Sequence, residues 1–324
     1  MQTRRLGNTD LSFTTIGLGT WAMGGEGWRY SWGPQDDQLS KEAIHQALNL
    51  GVNWIETAAV YGLGHAEEVL AKALQGITSR PYIATKCGRH SRPNGALYGS
   101  LRVESIRKEV EASLSRLQID AIDLYQIHWP DPDDQIEEGW SAMAGLVKEG
   151  KIRYAGVSNF NLAQLKRIHP IHPVASLQPP YSMLRRDLEG ELLEYCSQNN
   201  IGVVVYSPMS KGLLTDKITH DWVQSLPQTD HRTRDSNFQE PRLSIHLSLL
   251  DGLKEISARH GRSIAQLAIA WTLRQSAVTS AIVGARHPEQ IRETAYSGDW
   301  TLPEVDVASI NQLLQKHTRA LSQL

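Results

Sequence analysis

Short apolar runs rich in β-branched residues alternate along the chain with longer segments whose apolar residues recur at helical spacing. This alternation predicts parallel strands joined by helices, and with eight repeats an α/β fold of the (β/α)8 TIM barrel type. The predicted strands are Ile16–Thr20, Asn53–Thr57, Tyr82–Lys86, Asp123–His128, Tyr154–Ser158, Ala175–Gln178, Gly202–Tyr206 and Ala281–Gly284. The predicted helices are Leu39–Leu50, Ala66–Leu74, Arg102–Leu117, Ile136–Lys148, Leu162–Ile168, Leu188–Asn199 and Ile264–Arg274.

Two further segments lie outside this repeat. Thr3–Leu6 and Leu11–Thr15 flank Gly7-Asn8, which predicts an N-terminal β-hairpin that caps the bottom of the barrel. Residues 209–243, after strand seven, form a long irregular stretch, and long loops in compact domains tend to be lids or binding loops. No linker rich in Pro, Gly or Ser divides the chain, so residues 1–324 are expected to form one barrel domain.

The first glycine-rich segment also allows a competing interpretation. Gly17-Leu18-Gly19-Thr20-Trp21-Ala22 matches the GxGxxA fingerprint of doubly wound dinucleotide-binding folds, and Asp36 and Asp37 lie about twenty residues further on. That fingerprint requires a helix to begin at once, whereas Met23–Pro34 contains four glycines and ends in a proline. The glycines are therefore interpreted as a turn at the top of the first barrel strand.

The composition argues against several classes of partner and site. The 324 residues carry a formal net charge of -2 without a long run of one sign, which disfavours nucleic acid or an anionic membrane as a partner. No stretch approaches the ~20 apolar residues of a membrane span, and no signal-like segment is evident, so we expect a cytoplasmic protein. Cys87 and Cys196 lie far apart and the histidines show no HxxxH or HExxH spacing, so no disulfide or metal site is expected.

Polar residues recur where the predicted strands end. A buried apolar strand has no packing reason to end in such side chains, and barrel enzymes place their sites at the carboxyl ends of the strands. We therefore expect these residues to line one mouth of the barrel. They are Thr20, Glu56, Lys86, His128, Ser158, Asn159, Gln178, Tyr206, Gly284 and Arg286.

Four residues of this mouth are suited to proton chemistry: Glu56, Tyr61, Lys86 and His128. Tyr61 follows Glu56 by five residues and can fold over the barrel as a proton donor. A phenol with a pKa of ~10 is a weak acid at neutral pH, and a neighbouring ammonium such as Lys86 is expected to lower that pKa. Glu56 is expected to neutralise Lys86, and His128 to donate a hydrogen bond to a carbonyl group.

The chain resembles the aldo-keto reductases, especially their bacterial members, along nearly its whole length. The segments that carry the resemblance include Gly17-Leu18-Gly19-Thr20-Trp21, Glu56-Thr57-Ala58-Ala59-Val60-Tyr61-Gly62, Ala84-Thr85-Lys86, Leu124-Tyr125-Gln126-Ile127-His128, Gly156-Val157-Ser158-Asn159 and Gly284-Ala285-Arg286. The resemblance implies reduction of an aldehyde or ketone by direct hydride transfer from NADPH. The family's catalytic tetrad is Asp, Tyr, Lys and His.

Glu56 departs from that tetrad, since it stands where the family has Asp, whereas Tyr61, Lys86 and His128 match. The carboxylate is retained on a stem one methylene longer. Either Glu56 reaches Lys86 by a small shift, or the cluster is skewed and turnover is slower, because a positional error of about 1 Å can lower a rate roughly 100-fold.

The resemblance also implies a set of cofactor contacts. Amide and hydroxyl side chains would hold the nicotinamide carboxamide, an aromatic ring would stack on the nicotinamide, and the loop after strand seven would bind the pyrophosphate. Gly284, Ala285 and Gln290 replace the Lys, Ser and Arg that many members direct at the 2′-phosphate. The guanidinium of Arg286, between them, can bind a phosphate with two hydrogen bonds, which favours NADPH over NADH. The expected cofactor contacts are Thr20, Trp21, Ser158, Asn159, Gln178, Tyr206, Ser207, Met209, Lys211, Gly212, Gly284, Arg286 and Gln290.

Aromatic residues predict the walls of the substrate pocket, which is expected to tolerate apolar or aromatic carbonyl compounds. These residues are Trp21, Trp28, Tyr30, Trp32 and Trp129. Two alternatives stay open. The chain could be a regulatory subunit that binds the cofactor as a redox sensor with little turnover, which Glu56 favours, or an enzyme that acts mainly as an alcohol or sugar dehydrogenase.

Overall fold

Eight parallel strands close into a barrel in the computed structural model, which describes residues 1–324. The strands are β1 (Thr3–Arg5), β2 (Ser12–Thr14), β3 (Ile16–Gly19), β4 (Trp54–Glu56), β5 (Tyr82–Cys87), β6 (Arg89–Ser91), β7 (Leu97–Gly99), β8 (Ile122–Ile127), β9 (Ile152–Ser158), β10 (Ser176–Gln178), β11 (Gly202–Val205) and β12 (Val278–Gly284). The barrel order follows the chain through β3, β4, β5, β8, β9, β10, β11 and β12, and the pairing of β12 with β3 closes it. The predicted (β/α)8 barrel is confirmed.

Helices connect the barrel strands and cover the outside of the barrel. They are α1 (Asp37–Asn49), α2 (His65–Leu74), α3 (Val103–Leu117), α4 (Ile136–Lys148), α5 (Leu162–Ile168), α6 (Glu191–Gln198), α7 (His220–Gln224), α8 (Arg242–Arg259), α9 (Ile264–Leu273), α10 (Pro288–Thr294) and α11 (Glu304–Leu321). All seven predicted helices are present. No helix combines the length and the apolar character that crossing a membrane requires.

The sequence did not predict α7, α8, α10 or α11. In α11 the buried stripe consists of Asp306, Ile310, Leu314 and His317, so two polar residues stand at positions where the apolar period would place hydrophobic ones. Asp306 is buried because it accepts hydrogen bonds from Arg259 and His260 at the end of α8. A pattern search for apolar residues cannot recognise a face that is closed by such polar pairs.

The glycine-rich end of β3 serves packing. A Cβ atom on Gly17 would lie 2.1 Å from the ring of Trp54, so only glycine leaves room for that indole. The Trp54 ring fills the lower barrel, where it stacks on Phe13 with ring centroids 4.5 Å apart. Trp21–Gly24 is a short 3-10 turn rather than the start of a long helix. The barrel excludes the doubly wound alternative.

The predicted N-terminal hairpin is also confirmed, with β1 antiparallel to β2. Its turn closes the amino ends of the strands, because Gly7 lies directly against the backbone of Asn200 and Gly202. Leu6 and Phe13 from the hairpin are fully buried in the cluster that fills this end. The bottom of the barrel is therefore sealed, and the carboxyl ends of the strands form its open mouth.

Candidate active site

The structure brings the four predicted proton-transfer residues together at this mouth. Glu56 ends β4, Lys86 lies near the end of β5, His128 directly follows β8, and Tyr61 begins a turn after β4. The Tyr61 hydroxyl donates to Glu56 Oε1 at 3.2 Å and accepts from Lys86 Nζ at 2.9 Å. Lys86 Nζ also contacts Glu56 Oε1 directly, so the longer glutamate stem does reach the lysine. The ring of His128 lies edge-on to the ring of Tyr61, with centroids 5.8 Å apart.

Burial dominates the electrostatics of this cluster. Burial and, after it, the carboxylate of Glu56 raise the pKa of Tyr61 well above its ordinary value. Burial lowers the pKa of Lys86, and Glu56 opposes that shift. Desolvation and the nearby carboxylate both disfavour the phenolate and together outweigh the lowering expected from Lys86, so the net shift of the Tyr61 pKa is upward in this state of the protein. Tyr61 keeps its proton throughout the neutral range.

His128 stands in the same buried surroundings. Burial is the largest cause that lowers its pKa well below the ordinary value, followed by the positive charges of Lys86 and Arg89. The imidazole is therefore neutral at neutral pH, with one nitrogen that donates a hydrogen bond. A neutral donor beside the Tyr61 hydroxyl is suited to binding a carbonyl oxygen.

The amide and hydroxyl side chains after β9 and β10 form a connected group next to the tetrad. Asn159 Nδ2 donates to the backbone oxygen of His128 at 3.0 Å, and Asn159 Oδ1 accepts from the Tyr206 hydroxyl at 2.8 Å. Ser158 Oγ donates to the backbone oxygen of Gln178 at 2.8 Å. The side-chain nitrogen of Gln178 is buried without a partner, and so is the hydroxyl of Thr20. An unsatisfied buried donor costs roughly 1–3 kcal/mol, so these groups fit an amide-bearing ligand such as a nicotinamide carboxamide.

The segment after β11 has an unusual backbone. Ser207, Ser210 and Lys211 all have positive φ values, of 55°, 48° and 60°, although none is glycine. Residues held in this region store strain and cluster at ligand-binding sites. The ammonium of Lys211 is paired with Asp235 at 2.7 Å. Gly212 follows with φ +96°, and Met209 packs against the main core.

Arg286 lies after β12 and binds the loop that follows β3. Its Nε donates to Gln35 Oε1 at 2.7 Å, and its terminal nitrogens donate to the backbone oxygens of Trp32 and Pro34. The Arg286 backbone N–H donates to Gln290 Oε1 at 2.7 Å. Arg286 lines an open cavity of about 560 Å³ together with Asp36 and His287, while Gly284 is open to solvent with space for a side chain.

Four of the five predicted pocket aromatics surround Tyr61 or its neighbours. Trp28 lies 6.0 Å and Trp21 6.4 Å from the Tyr61 ring, Trp32 packs edge-on against Trp21 at 5.2 Å, and the half-exposed Tyr30 contacts Trp28. Trp129 is different. Its ring is 40% exposed, shares no ring contact with this group, and lies under the guanidinium of Arg89 at 6.0 Å. Trp129 therefore lies at the rim of the mouth.

The sequence did not single out Asp230, His231 and Arg232, which the long loop after β11 carries across the mouth. The backbone of Asp230 forms a bridge with Trp32, and the His231 N–H donates to the Ser31 oxygen at 2.9 Å. The His231 ring then stacks on Trp21 with centroids 4.9 Å apart. The one available signal was a histidine between two charged residues in the middle of a long loop, and it does not say where the loop lies.

The guanidinium of Arg232 stabilises this contact between the loops that follow β3 and β11. It forms a buried ion pair with Asp230, with an Arg232 Nη2 to Asp230 Oδ2 distance of 2.6 Å. Its planar group also lies over the rings of Trp32 and Trp222, at 4.5 and 4.9 Å from their centroids. The segment 209–243, predicted as irregular, therefore contains the short helix α7 and several turns and forms part of the pocket wall.

Comparison with known proteins agrees with this geometry. The model of the aldo/keto reductase family matches residues 15–315. The chain is 38% identical to aldo-keto reductase YhdN of Bacillus subtilis over 97% of this chain and 94% of the relative. It is 35% identical to the NADH-specific methylglyoxal reductase of Escherichia coli, over 96% of this chain and 97% of the relative.

Solved structures give the same result. The glycerol dehydrogenase AKR11B4 from Gluconobacter oxydans superposes with a TM-score of 0.88 at 36% identity, over 97% of this chain and 95% of that chain. The holo form of aldo-keto reductase AKR11C1 from Bacillus halodurans superposes with a TM-score of 0.79 at 27% identity, over 97% and 96% of the two chains. The chain belongs to the aldo/keto reductase family of oxidoreductases, which use a nicotinamide cofactor.

Proposed function

We propose that this protein is an NADPH-dependent reductase of aldehydes or ketones in which Tyr61 donates the proton. The observation that carries the proposal is the Tyr61 hydroxyl, held between Lys86 Nζ at 2.9 Å and Glu56 Oε1 at 3.2 Å at the open end of the barrel. Tyr61 is protonated at neutral pH because its pKa is raised, so its hydroxyl carries a proton, donated to Glu56 Oε1 in this structure, that it can redirect to a bound carbonyl oxygen.

Each tetrad residue has a separate task. The neutral imidazole of His128 donates a hydrogen bond that orients the substrate carbonyl beside the Tyr61 hydroxyl. When bound, the nicotinamide cofactor supplies the hydride for the carbonyl carbon. As the Tyr61 proton moves to the carbonyl oxygen, the hydrogen bond and charge of Lys86 stabilise the phenolate that is left. Glu56 keeps the buried Lys86 charged and in place.

The cofactor contacts follow from the groups that lack partners. Gln178 Nε2, with Ser158 and Asn159, would hold the nicotinamide carboxamide, and the half-buried ring of Tyr206 would stack on the nicotinamide. Lys211 and the strained backbone from Ser207 to Gly212 would bind the pyrophosphate, at the expense of the pair between Lys211 and Asp235. Trp21 and Thr20 complete the contacts at the end of β3.

The proposed preference for NADPH rests on Arg286. This residue lines the open cavity, and its backbone N–H donates to Gln290. A 2′-phosphate can compete with the neutral oxygens that Arg286 now binds, because hydrogen bonds between two charged groups are stronger than those to a neutral acceptor. Arg286→Ala should therefore raise the KM for NADPH at least about 10-fold and leave that for NADH nearly unchanged. Equal losses for the two cofactors would assign Arg286 to the loop contacts alone, and would bring this chain closer to its NADH-specific relative.

The experiment that tests the proposed function follows NADPH absorbance with a panel of aldehydes and ketones that includes methylglyoxal and an aromatic aldehyde. Tyr61→Phe should lower kcat by at least about 100-fold while NADPH still quenches tryptophan fluorescence, since the ring and its packing remain. Tyr296→Phe, at an exposed tyrosine, is the control. If the wild type binds NADPH and reduces no member of the panel, the regulatory subunit is the better description.

A second candidate is oxidation of an alcohol by the same residues in reverse. The similarity to a glycerol dehydrogenase over nearly the whole chain favours it. Glycerol and other polyols should be tested with both oxidised cofactors at alkaline pH, where proton release drives oxidation. A kcat/KM for a polyol above that for every carbonyl compound would favour the dehydrogenase direction.

A further inference from the structure

A continuous chain of side-chain hydrogen bonds leads from the loop after β11 to the last helix of the protein. Lys211 Nζ donates to Asp235 Oδ2 at 2.7 Å, and Asp235 Oδ1 accepts from Asn237 Nδ2 at 3.1 Å. Asn237 Oδ1 lies 3.4 Å from His246 Nε2 in α8, and His246 Nδ1 lies 2.9 Å from His317 Nε2 in α11. The two histidines are 3% and 7% exposed. The chain therefore connects a lysine of the proposed cofactor site to a buried pair of titratable rings.

These hydrogen bonds determine which ring nitrogens carry a hydrogen. Only the amide nitrogen of Asn237 can donate to the carboxylate of Asp235, so the amide oxygen faces His246 and accepts from it. The neutral ring of His246 therefore carries its hydrogen on Nε2, and its Nδ1 accepts from His317 Nε2. This leaves a lone pair on His317 Nδ1. His317 lines an open cavity of about 260 Å³ between α8 and α11, so a proton from solvent can add to this nitrogen while the hydrogen bond between the two rings remains.

The charge of Asp235 connects this pair to the proposed cofactor site. Burial lowers the pKa of His246 to about 4, the positive charges of His317 and Arg242 lower it further, and the carboxylate of Asp235 acts in the opposite direction. Burial also lowers the pKa of His317. In this structure the ammonium of Lys211 neutralises Asp235. Other charged groups around the pair and its cavity lie outside the proposed cofactor site: Arg242 in α8, Lys316 in α11, and the pair of His220 and Glu240 before α8.

We propose that the pair of His246 and His317 takes up a proton when the cofactor pyrophosphate draws Lys211 away from Asp235, so that cofactor binding and proton binding strengthen each other. The freed carboxylate stays ionised, because it still accepts from the backbone N–H and the side chain of Asn237. Its negative charge then acts on the histidines without a counter-charge. The proton comes from solvent and adds to His317 Nδ1. This regulation rests on the proposed role of Lys211 in binding the pyrophosphate and makes the affinity for the cofactor increase as the pH falls.

The test counts the protons that wild type and a double variant, His246→Phe with His317→Phe, take up when they bind NADP⁺. Calorimetric titrations in buffers of different ionisation enthalpy give this number. If the pair gains about 10-fold in proton affinity from a pKa of about 4, wild type should take up about 0.4 proton more than the double variant at pH 5 and almost none more at pH 8. His231 and the 2′-phosphate also titrate in acid, so the difference between the two proteins is the quantity compared. His220→Gln, at an exposed histidine beside α8, should behave as wild type.

Equal proton uptake by wild type and the double variant at pH 5 would overturn this coupling. A second measurement works without the cofactor, because Lys211→Met removes the counter-charge of Asp235 in the free protein. The His317 ring, followed by NMR and assigned with His317→Phe, should then bind its proton about 10-fold more tightly than in wild type. An unchanged proton affinity in Lys211→Met would reject the coupling. If wild type binds no NADP⁺, the proposed function fails, and the Lys211→Met titration alone decides whether Asp235 controls the pair.

Discussion

Glu56→Gln is the substitution that tests most directly how the buried cluster is held together. Glu56 and Lys86 are 3% and 1% exposed, and their side chains form an ion pair inside the barrel mouth. The glutamine keeps the size of the side chain but leaves Lys86 without a counter-charge. Removing one partner of a buried pair lowers stability by roughly 3–5 kcal/mol.

The pKa of Lys86 gives a second estimate of the same loss of stability. Burial already lowers the pKa of Lys86, and the negative charge of Glu56 is the main opposing influence. Without that charge, Lys86 should lose its proton on folding. Keeping a lysine with an ordinary pKa of ~10.4 neutral at pH 7 requires about 4–5 kcal/mol.

The sign of the pH dependence follows from these states. The folded variant holds Lys86 neutral, whereas the unfolded chain binds a proton there below its ordinary pKa of 10.5. Raising the pH therefore stabilises the variant, and its deficit relative to wild type should shrink by about 1.4 kcal/mol per pH unit between about pH 7 and 9. Urea unfolding followed by tryptophan fluorescence at the two pH values measures the deficit.

Glu67→Gln provides the matched control. Glu67 is fully buried and accepts from Arg116 Nε at 2.7 Å and from Thr85 Oγ1 at 2.6 Å. An arginine does not lose its proton in this range, and Glu67 supports the charge of Lys86 less than Glu56 does, so the deficit of Glu67→Gln should vary much less with pH. A deficit of Glu56→Gln that is equally constant would refute the reasoning, because it would mean that Lys86 stays charged without its partner.

Two further predictions concern stability. Gly7→Ala should lower the free energy of unfolding by more than about 2 kcal/mol, because a Cβ there would lie 2.4 Å from the Asn200 oxygen at a φ of +50°. Gly51→Ala, at a φ of +89° with open space around it, should lose only about 1 kcal/mol from backbone strain, and equal losses in urea unfolding would contradict this account. Burial lowers the pKa of His246 from 6.5 to about 4, so the unfolded chain binds more protons and stability should fall by up to about 3 kcal/mol as the pH drops through that window. His246→Phe should flatten this part of the stability profile, and an unchanged profile would count against the neutral pair with His317.

The amino-acid sequence alone determined the barrel, because eight apolar strands separated by amphipathic helices leave few other arrangements. It also predicted that the residues of the proposed tetrad lie close together, since residues at the carboxyl ends of neighbouring parallel strands must meet. Glu56, Lys86 and His128 illustrate this, because each lies at the end of its own strand and the structure places them in one cluster. The local sequence shows that a residue lies at the end of a strand, and closure of the barrel brings these strand ends close together.

Only the tertiary structure decided the rest of the site. The loop that carries His231 has no period from which its course could be calculated, and its contact with Trp21 depends on a bridge between segments nearly 200 residues apart. The acidity of Tyr61 was likewise decided by burial, which outweighs the lysine that the sequence places nearby. Periodicity reports which side chains face a core, whereas desolvation and loop packing depend on everything that surrounds them in space.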